Sequence, residues 1–317
     1  MNRRRFAKLA ALSSLGLGSK KAHAQHHRPV WTRPLSVHLF SKHLQFLEYP
    51  QMAKVAADLG FDGVDLTVRP GGHVEPEKVE EDLPKAVEAL SDRGLLSIMM
   101  TTAVTNATNP LNLDVINTAV NQGLRYYRMG YYKFEEDKTW KENLDRCKKD
   151  IEGLSELHEE HGIHGAYQNH SGTGVGAYIT DIVYLLEGLN PLWTGCQYDI
   201  RHAVVEGGRA WGNGVKWLKD SMSTIAVKDF TWAKHPQSGK YSVMNTPIGE
   251  GMVDFVGYFK LLRQLEIHPV VTLHCEYDLG GANRGNRELS IPKKQVYKAI
   301  KKDLTVLRDL WQKSAEV

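Results

Sequence analysis

The chain has 317 residues, 42% of them hydrophobic and 24% charged, a composition that fits a globular protein with room for one large domain or two ordinary ones. No stretch approaches the ~18–20 consecutive apolar residues of a membrane-spanning helix, and no basic patch interleaved with aromatic residues points to nucleic acid. Cys147, Cys196 and Cys275 are too few and too scattered for a disulfide framework; the last two fall in apolar runs and read as buried thiols.

In chain order, the first element stands outside the fold. Arg3, Arg4 and Arg5 precede a modest apolar run, Leu9 to Leu17, and then Ala22-His23-Ala24, a small-residue cleavage pattern. The run from Arg3 to Lys8 resembles a twin-arginine export signal. Residues 1–24 are therefore expected to be a cleaved leader, residues 25–34 an extension, and residues 35–317 a domain that works in the periplasm or is otherwise exported. Arg3, Arg4, Arg5, Lys8, Lys20 and Lys21 lie in that leader, which has no acidic residue. Removing them from the 40 basic residues leaves 34 against 37 acidic ones, so the formal charge moves from +3 to about −3.

Beyond residue 30, strand-like and helix-like segments alternate. The expected strands are Leu35–Phe40, Gly63–Val68, Leu95–Thr102, Tyr126–Tyr131, Gly165–His170, Gly195–Ile200, Thr224–Phe230 and Val270–Tyr277. Between them apolar residues recur at helical spacing: Met52, Val55, Ala56 and Leu59; Leu144, Cys147, Ile151, Leu154 and Leu157; Phe255, Phe259, Leu262 and Leu265. Gly60, Gly94, Gly123 and Gly162 close helices just before a strand, where a positive φ is wanted. Eight βα repeats predict a single-domain α/β protein, a (β/α)8 barrel. A doubly wound open sheet is the rival, weakened because no G-x-G-x-x-G follows the first strand. The long connections Arg69–Pro76, Ser171–Ala177, Arg201–Asn213 and Thr231–Gly251 all follow strands, which puts a functional site at the C-terminal face.

Alternation along the strands brings a polar set to that rim: Lys42, Arg69, Gln168, His170, Asp199, Lys228, His274 and Glu276, with His73 and His202 just beyond strands two and six. Taken singly, each could be a hydrogen-bonded structural residue. Polar groups ending at least five strands on one rim point instead to a site. Trp31, Trp211, Trp232 and Tyr277 could stack on sugars or simply pack.

The motifs D-L-T-V-R-P-G-G-H-V (65–74), Q-N-H-S-G (168–172), Y-D-I-R-H (198–202), V-K-D-F (227–230), G-E-G (249–251) and H-C-E-Y (274–277) occur in an order that resembles the xylose isomerase-like barrel superfamily, in its sugar phosphate isomerase/epimerase branch. The likeness runs from about Leu35 to Leu310. It implies a small-molecule carbohydrate substrate, a possible homo-oligomer, and a divalent metal (Mn, Mg or Zn) held by Asp199 and Glu276 with Gln168 through its carbonyl and His202, or else His170 or His274, as the imidazole. It also implies Arg69, His73, His170 and His274 as substrate-binding residues. Two positions depart from the family pattern: Gln168 stands where Glu is usual, and Ala226 where His is usual.

An amide has no useful pKa, so Gln168 cannot serve as the second base of a two-base epimerase. A one-base reaction beside a carbonyl remains: isomerisation, β-elimination or hydration. Glu276 is then the expected base, His202 or Lys42 the acid, and a metal, or Lys228 and Arg69 without one, the partner of the enolate oxygen. The leader favours a sugar without phosphate. The competing readings are a 3-keto-glycoside lyase or hydratase, a metal-dependent endonuclease of the same superfamily (disfavoured by the mature charge), and a sugar-binding protein on a degraded active site.

Overall fold

The computed structural model describes residues 34–234 and 237–316. The expected leader, and with it Trp31, lies outside the described residues. Eight strands close into a barrel: β1 (Val37–Phe40), β2 (Gly63–Val68), β3 (Leu96–Thr102), β4 (Tyr126–Arg128), β5 (His164–Gln168), β6 (Thr194–Asp199), β7 (Met222–Val227) and β10 (Val270–Leu273). Each pairs in parallel with its neighbours, and β1 seals the ring by pairing with both β2 and β10. The open-sheet alternative is thereby excluded. β2, β5 and β6 are buried along their whole length, as strands covered on both faces must be.

Helices follow the strands. α1 (Tyr49–Leu59) and α4 (Trp140–His161) end in the left-handed glycines Gly60 and Gly162, and Gly94 and Gly123 also have positive φ. α4 begins with a reciprocal cap: Thr139 Oγ1 accepts from the Glu142 amide, and the Glu142 carboxylate accepts from the Thr139 amide. Its buried positions include Leu144, Cys147, Ile151 and Leu154, four of the five expected from the spacing. All three cysteines are buried and unpaired. Among the described residues no helix is long and apolar enough to cross a membrane.

Five strands end earlier than the sequence suggests, β6 by a single residue, and side chains explain two of these. Beyond β5, Asn169 pairs with the backbone of Asp199, donating to its carbonyl at 2.9 Å and accepting from its amide at 2.8 Å. Beyond β10, the Cys275 amide donates to His43 Nε2 at 2.9 Å instead of to a neighbouring strand. β4 also stops at Arg128, with only the Met129 amide still reaching β5, at Ala166.

The seventh strand differs most. It stops at Val227, and the expected long loop instead holds an antiparallel hairpin, β8 (Asp229–Lys234) with β9 (Tyr241–Thr246). Asp229 clips the base of this hairpin. Its carboxylate accepts from the amides of Phe230 (2.8 Å), Gly249 (2.9 Å), Gly251 (3.0 Å) and Val253 (3.1 Å). A Cβ on Gly251 would sit 2.3 Å from that carboxylate, so only glycine fits there. The motifs around Asp229 and Gly249-Glu250-Gly251, separate in sequence, are thus two halves of one clip.

Candidate active site

The polar strand ends converge on the barrel mouth around two carboxylates. Asp199, the last residue of β6, is fully buried and also caps the next helix, α6 (Ile200–Gly207), through the His202 amide at 3.1 Å. Glu276 follows β10 and is 21% exposed. Between them lies Lys228, just past β7 and only 3% exposed: its ammonium is 3.2 Å from Asp199 Oδ2 and 3.0 Å from Glu276 Oε2. Ala226, two residues before Lys228, stands opposite Asp199 in the β6–β7 register. Lys42, beyond β1, donates to the other oxygen of Glu276 at 2.5 Å.

These contacts set the charges. Burial alone would raise the Glu276 carboxyl, but Lys228 and Lys42 outweigh it and hold the group well below the usual carboxylate range. Burial alone would lower Lys228; Asp199 and Glu276 reverse this and keep it cationic. For Lys42 burial wins over Glu276, and its ammonium is lowered. Burial pushes Asp199 up, with Lys228 opposing.

On the β4 side, Gln168 links the carboxylates to a guanidinium. Its amide nitrogen donates to Asp199 Oδ2 at 2.9 Å, while its oxygen accepts from Tyr131 and, at 3.3 Å, from Arg128 Nη1. Arg128 can only donate, so the orientation of the amide is fixed. Arg128 also lies over the Tyr131 ring at 4.4 Å. Deeper in the barrel, Asp65 accepts from Thr101 and Thr272, and burial pushes its carboxyl up to about 6.

The imidazoles around this core are neutral. His202, held well below its usual pKa by burial, is bonded at Nδ1 to Ser171 (2.7 Å) and approached by Arg201 (2.9 Å). Its Nε2 has no hydrogen-bond partner and lies 3.6 Å from Asp199. His274 stacks on Phe40 at 4.0 Å, with Nδ1 3.9 Å from Glu276 and neither ring nitrogen bonded. His170 packs against His202 at 4.0 Å, and burial lowers it to about 4. Arg201 reaches Asn245 on β9 at 2.7 Å, and Asn245 donates to the Glu276 carbonyl at 3.2 Å, so the hairpin forms part of the site wall. Between hairpin and β10 loop a cavity of about 560 Å³ opens beside Glu276, lined also by Met244, Tyr277, Arg284 and Glu288.

The donor set does not fit a divalent metal. Among the described residues no three His, Cys, Asp or Glu side chains are grouped to hold one. The space between Asp199 and Glu276 is taken by an ammonium, and the amide of Gln168 turns a hydrogen-bond donor, not its oxygen, toward Asp199. Asp199, Glu276, Gln168 and His202 are therefore neighbours, as expected, but Lys228 sits where a cation would be shared.

Of the other expected residues, Lys42, Lys228, His170 and His274 join the cluster, and Arg69 lies at its edge with its guanidinium 5.6 Å above the Phe40 ring. His73 does not: it is buried against Tyr49 and bonded to the Leu47 carbonyl. Trp211 packs edge-on against Tyr258 in the core, whereas Trp232 is exposed on the hairpin. Four residues of the site were absent from the expected set: Arg128, Tyr131, Arg201 and Asn245. Arg128 ends its strand as Asp199 and Gln168 end theirs, and that signal was there to be read.

Residues 53–300 match the xylose isomerase-like TIM barrel family. No curated protein sequence matches the chain significantly. Among solved structures, 3-keto-D-glucoside 4-epimerase from E. coli is 12% identical, with a TM-score of 0.63 over 87% of this chain and 99% of that one. D-Allulose 3-epimerase from Methylomonas sp. is 13% identical, with a TM-score of 0.64 over 88% and 98%. The probable 3-DHS dehydratase from Bacillus anthracis is 15% identical, with a TM-score of 0.62 over 86% and 99%. With its closed parallel barrel and a match that spans most of the domain, the chain belongs to the xylose isomerase-like TIM-barrel family.

Proposed function

We propose that the protein is a carbohydrate isomerase or carbon–oxygen lyase that removes a proton beside a carbonyl with Glu276 as the base. The observation that carries this reading is one carboxylate in the barrel mouth bracketed by two lysines, Lys42 at 2.5 Å and Lys228 at 3.0 Å. Glu276 is ionised at neutral pH and takes the proton from carbon; the C–H electron pair moves into the C–C bond and the carbonyl π pair onto oxygen. Lys228, kept cationic by its two carboxylates, supplies positive charge for that oxygen. A carboxylate held so low is a weak base, so the substrate must draw one lysine away from it. Lys42, with its lowered pKa, is the acid beside the base. In isomerisation Lys42 protonates the enolate oxygen, the hydroxyl on the carbon that lost its hydrogen returns a proton to Lys42 as the new carbonyl forms, and Glu276 delivers its proton to the former carbonyl carbon. In elimination Lys42 protonates a departing hydroxyl or alkoxide, which leaves with its bonding pair.

The lyase version has its own support: acid and base stand on one side of the site, and the adjoining cavity has room for a second sugar ring. The epimerases and the probable dehydratase that share the fold support the reaction class. The leader-like residues 1–24 support action outside the cytoplasm.

The test is solvent exchange. Keto-sugars and 3-keto-glycosides are incubated in D₂O with the protein and with Glu276→Gln, and deuterium at carbon is followed by NMR. Exchange that depends on Glu276 is expected; equal exchange by the variant, or none with any keto-sugar, would overturn the reading.

A further inference from the structure

Five cationic side chains gather at the mouth, Lys42, Arg69, Arg128, Arg201 and Lys228, against the carboxylates Asp199 and Glu276 and, deeper in the barrel, Asp65, which attracts Arg69 and Arg128. The lysines account for Asp199 and Glu276. Arg201 is engaged by three side chains, Ser171, His202 and Asn245, with only its Nε unpartnered. The other two guanidiniums are less fully engaged. Arg128 is 4% exposed, yet its bonds go to neutral oxygens, Gln168 Oε1 at 3.3 Å and the Thr102 carbonyl at 3.2 Å, and its Nε is buried with no partner. Arg69 is half-buried over Phe40 at 5.6 Å, on the ring that Lys42 also faces at 5.4 Å. Among the described residues neither guanidinium has a carboxylate within ion-pair distance, and after burial the largest influence on Arg69 is repulsion from Arg128.

Burying like charges together with only Asp65, itself bonded to Thr101 and Thr272, to offset them at a distance is costly, and such a pair beside a reactive carboxylate is suited to receive a further anion. Resting on the proton-abstraction reading, we propose that the substrate is a sugar bearing an oxyanion group, and that Arg69 and Arg128 together seat that group. The pair faces the β2–β4 side of the mouth, while Arg128–Gln168–Asp199–Lys228 forms an unbroken chain of contacts to Glu276. An oxyanion on Arg69 and Arg128 would thus fix the sugar's orientation relative to the base. Guanidinium is suited to this because its coplanar N–H groups match two oxygens of one carboxylate or phosphate.

Calorimetric titration of the full chain tests the proposal, with D-glucuronate, D-glucose 6-phosphate, inorganic phosphate and D-glucose as probes. At least one anionic sugar is expected to bind about tenfold or more tightly than D-glucose in low salt, and to lose that advantage as sodium chloride shortens the range of the charges. The carboxylate and phosphate arms decide which oxyanion is preferred, and the inorganic phosphate arm shows whether the sugar ring contributes. In Arg69→Gln, a change at a half-buried position, the ratio of anionic to neutral affinity should fall towards one. Arg69→Lys should restore part of it.

The proposal is overturned if neither anionic sugar outcompetes D-glucose, or if Arg69→Gln leaves the preference intact. The two readings fail separately. Anion preference without deuterium exchange removes proton abstraction and keeps the seat; exchange on neutral keto-sugars without anion preference removes the seat alone.

Discussion

Replacing Lys228 by methionine tests the electrostatic core of the site. The ammonium lies 3.2 Å from one oxygen of Asp199 and 3.0 Å from one of Glu276, so those oxygens are at most about 6 Å apart. Without the cation, two charges at ~6 Å repel by about 3 kcal/mol at an effective dielectric of ~20, equivalent to about two pKa units. In the native protein Glu276 sits below its unfolded value, so its contribution to stability is complete above about pH 4.5 and is lost as pH falls through the folded value. In Lys228→Met one of the two carboxyls should instead hold a proton and titrate above its unfolded value. Its contribution is then complete below about pH 4 and lost as pH rises. The variant should therefore be less stable by about 3 kcal/mol at pH 8, with the deficit narrowing towards pH 5. Urea unfolding at both pH values reads this as a shift in midpoint at constant slope. A deficit of the same size at both pH values would refute the reasoning, as would one below about 1 kcal/mol at pH 8.

Glu276→Gln should lower turnover by about a hundredfold or more, the usual contribution of a general base, while circular dichroism stays native. Dialysis against a chelator should leave exchange activity within about twofold, because the native donor set does not suit a divalent ion; a large loss restored by Mn²⁺ would show that a metal enters. By contrast, the double change Lys228→Ala with Gln168→Glu should acquire Mn²⁺ affinity measurable by calorimetry, since it vacates the shared position and adds an anionic oxygen. Asp65, raised to about 6, is stabilising below about pH 4 and loses that contribution as pH rises through 6. Asp65→Asn should accordingly flatten the stability profile between pH 4 and 7, removing a slope worth roughly 3 kcal/mol; an unchanged slope would assign it to another group.

What could be read from the sequence followed the strength of its periodicity. The barrel was legible because buried strands and amphipathic helices alternate, and because Gly60, Gly94, Gly123 and Gly162 mark the turns that they do make. Asp199, Glu276, Gln168 and Lys228 were legible as a group because they end neighbouring strands. The hairpin was not, for a physical reason: β9 is exposed or half-buried throughout, so neither face carries an apolar alternation. Arg128 and Tyr131 were missed because the strand was expected to run on to Tyr131, whereas β4 ends at Arg128, so the residue at its true end was read as mid-strand. The place of the Lys228 ammonium was also beyond reach, because it depends on which atoms lie within bonding distance across three strands, not on any spacing along the chain. His73 shows the converse: a polar residue in the right motif whose hydrogen bond to Leu47 makes it part of the packing.

The clip at Asp229 bears on how such a protein can change. Because one carboxylate gathers the amides of Phe230, Gly249, Gly251 and Val253, the hairpin leaves and rejoins the barrel at nearly one point. Its entropy of closure is met locally, by four bonds, and is not charged to the strands. The exposed positions of the hairpin, Trp232 and Lys234 on β8 and Tyr241, Ser242 and Met244 on β9, can therefore be exchanged while Asp229 and the two glycines hold the seam. Since Asn245 on the same hairpin touches both Arg201 and the Glu276 backbone, exchanges beside it bear on the mouth directly. A lineage, or an engineer, could thus vary what the site admits by changing these side chains over a barrel that stays the same.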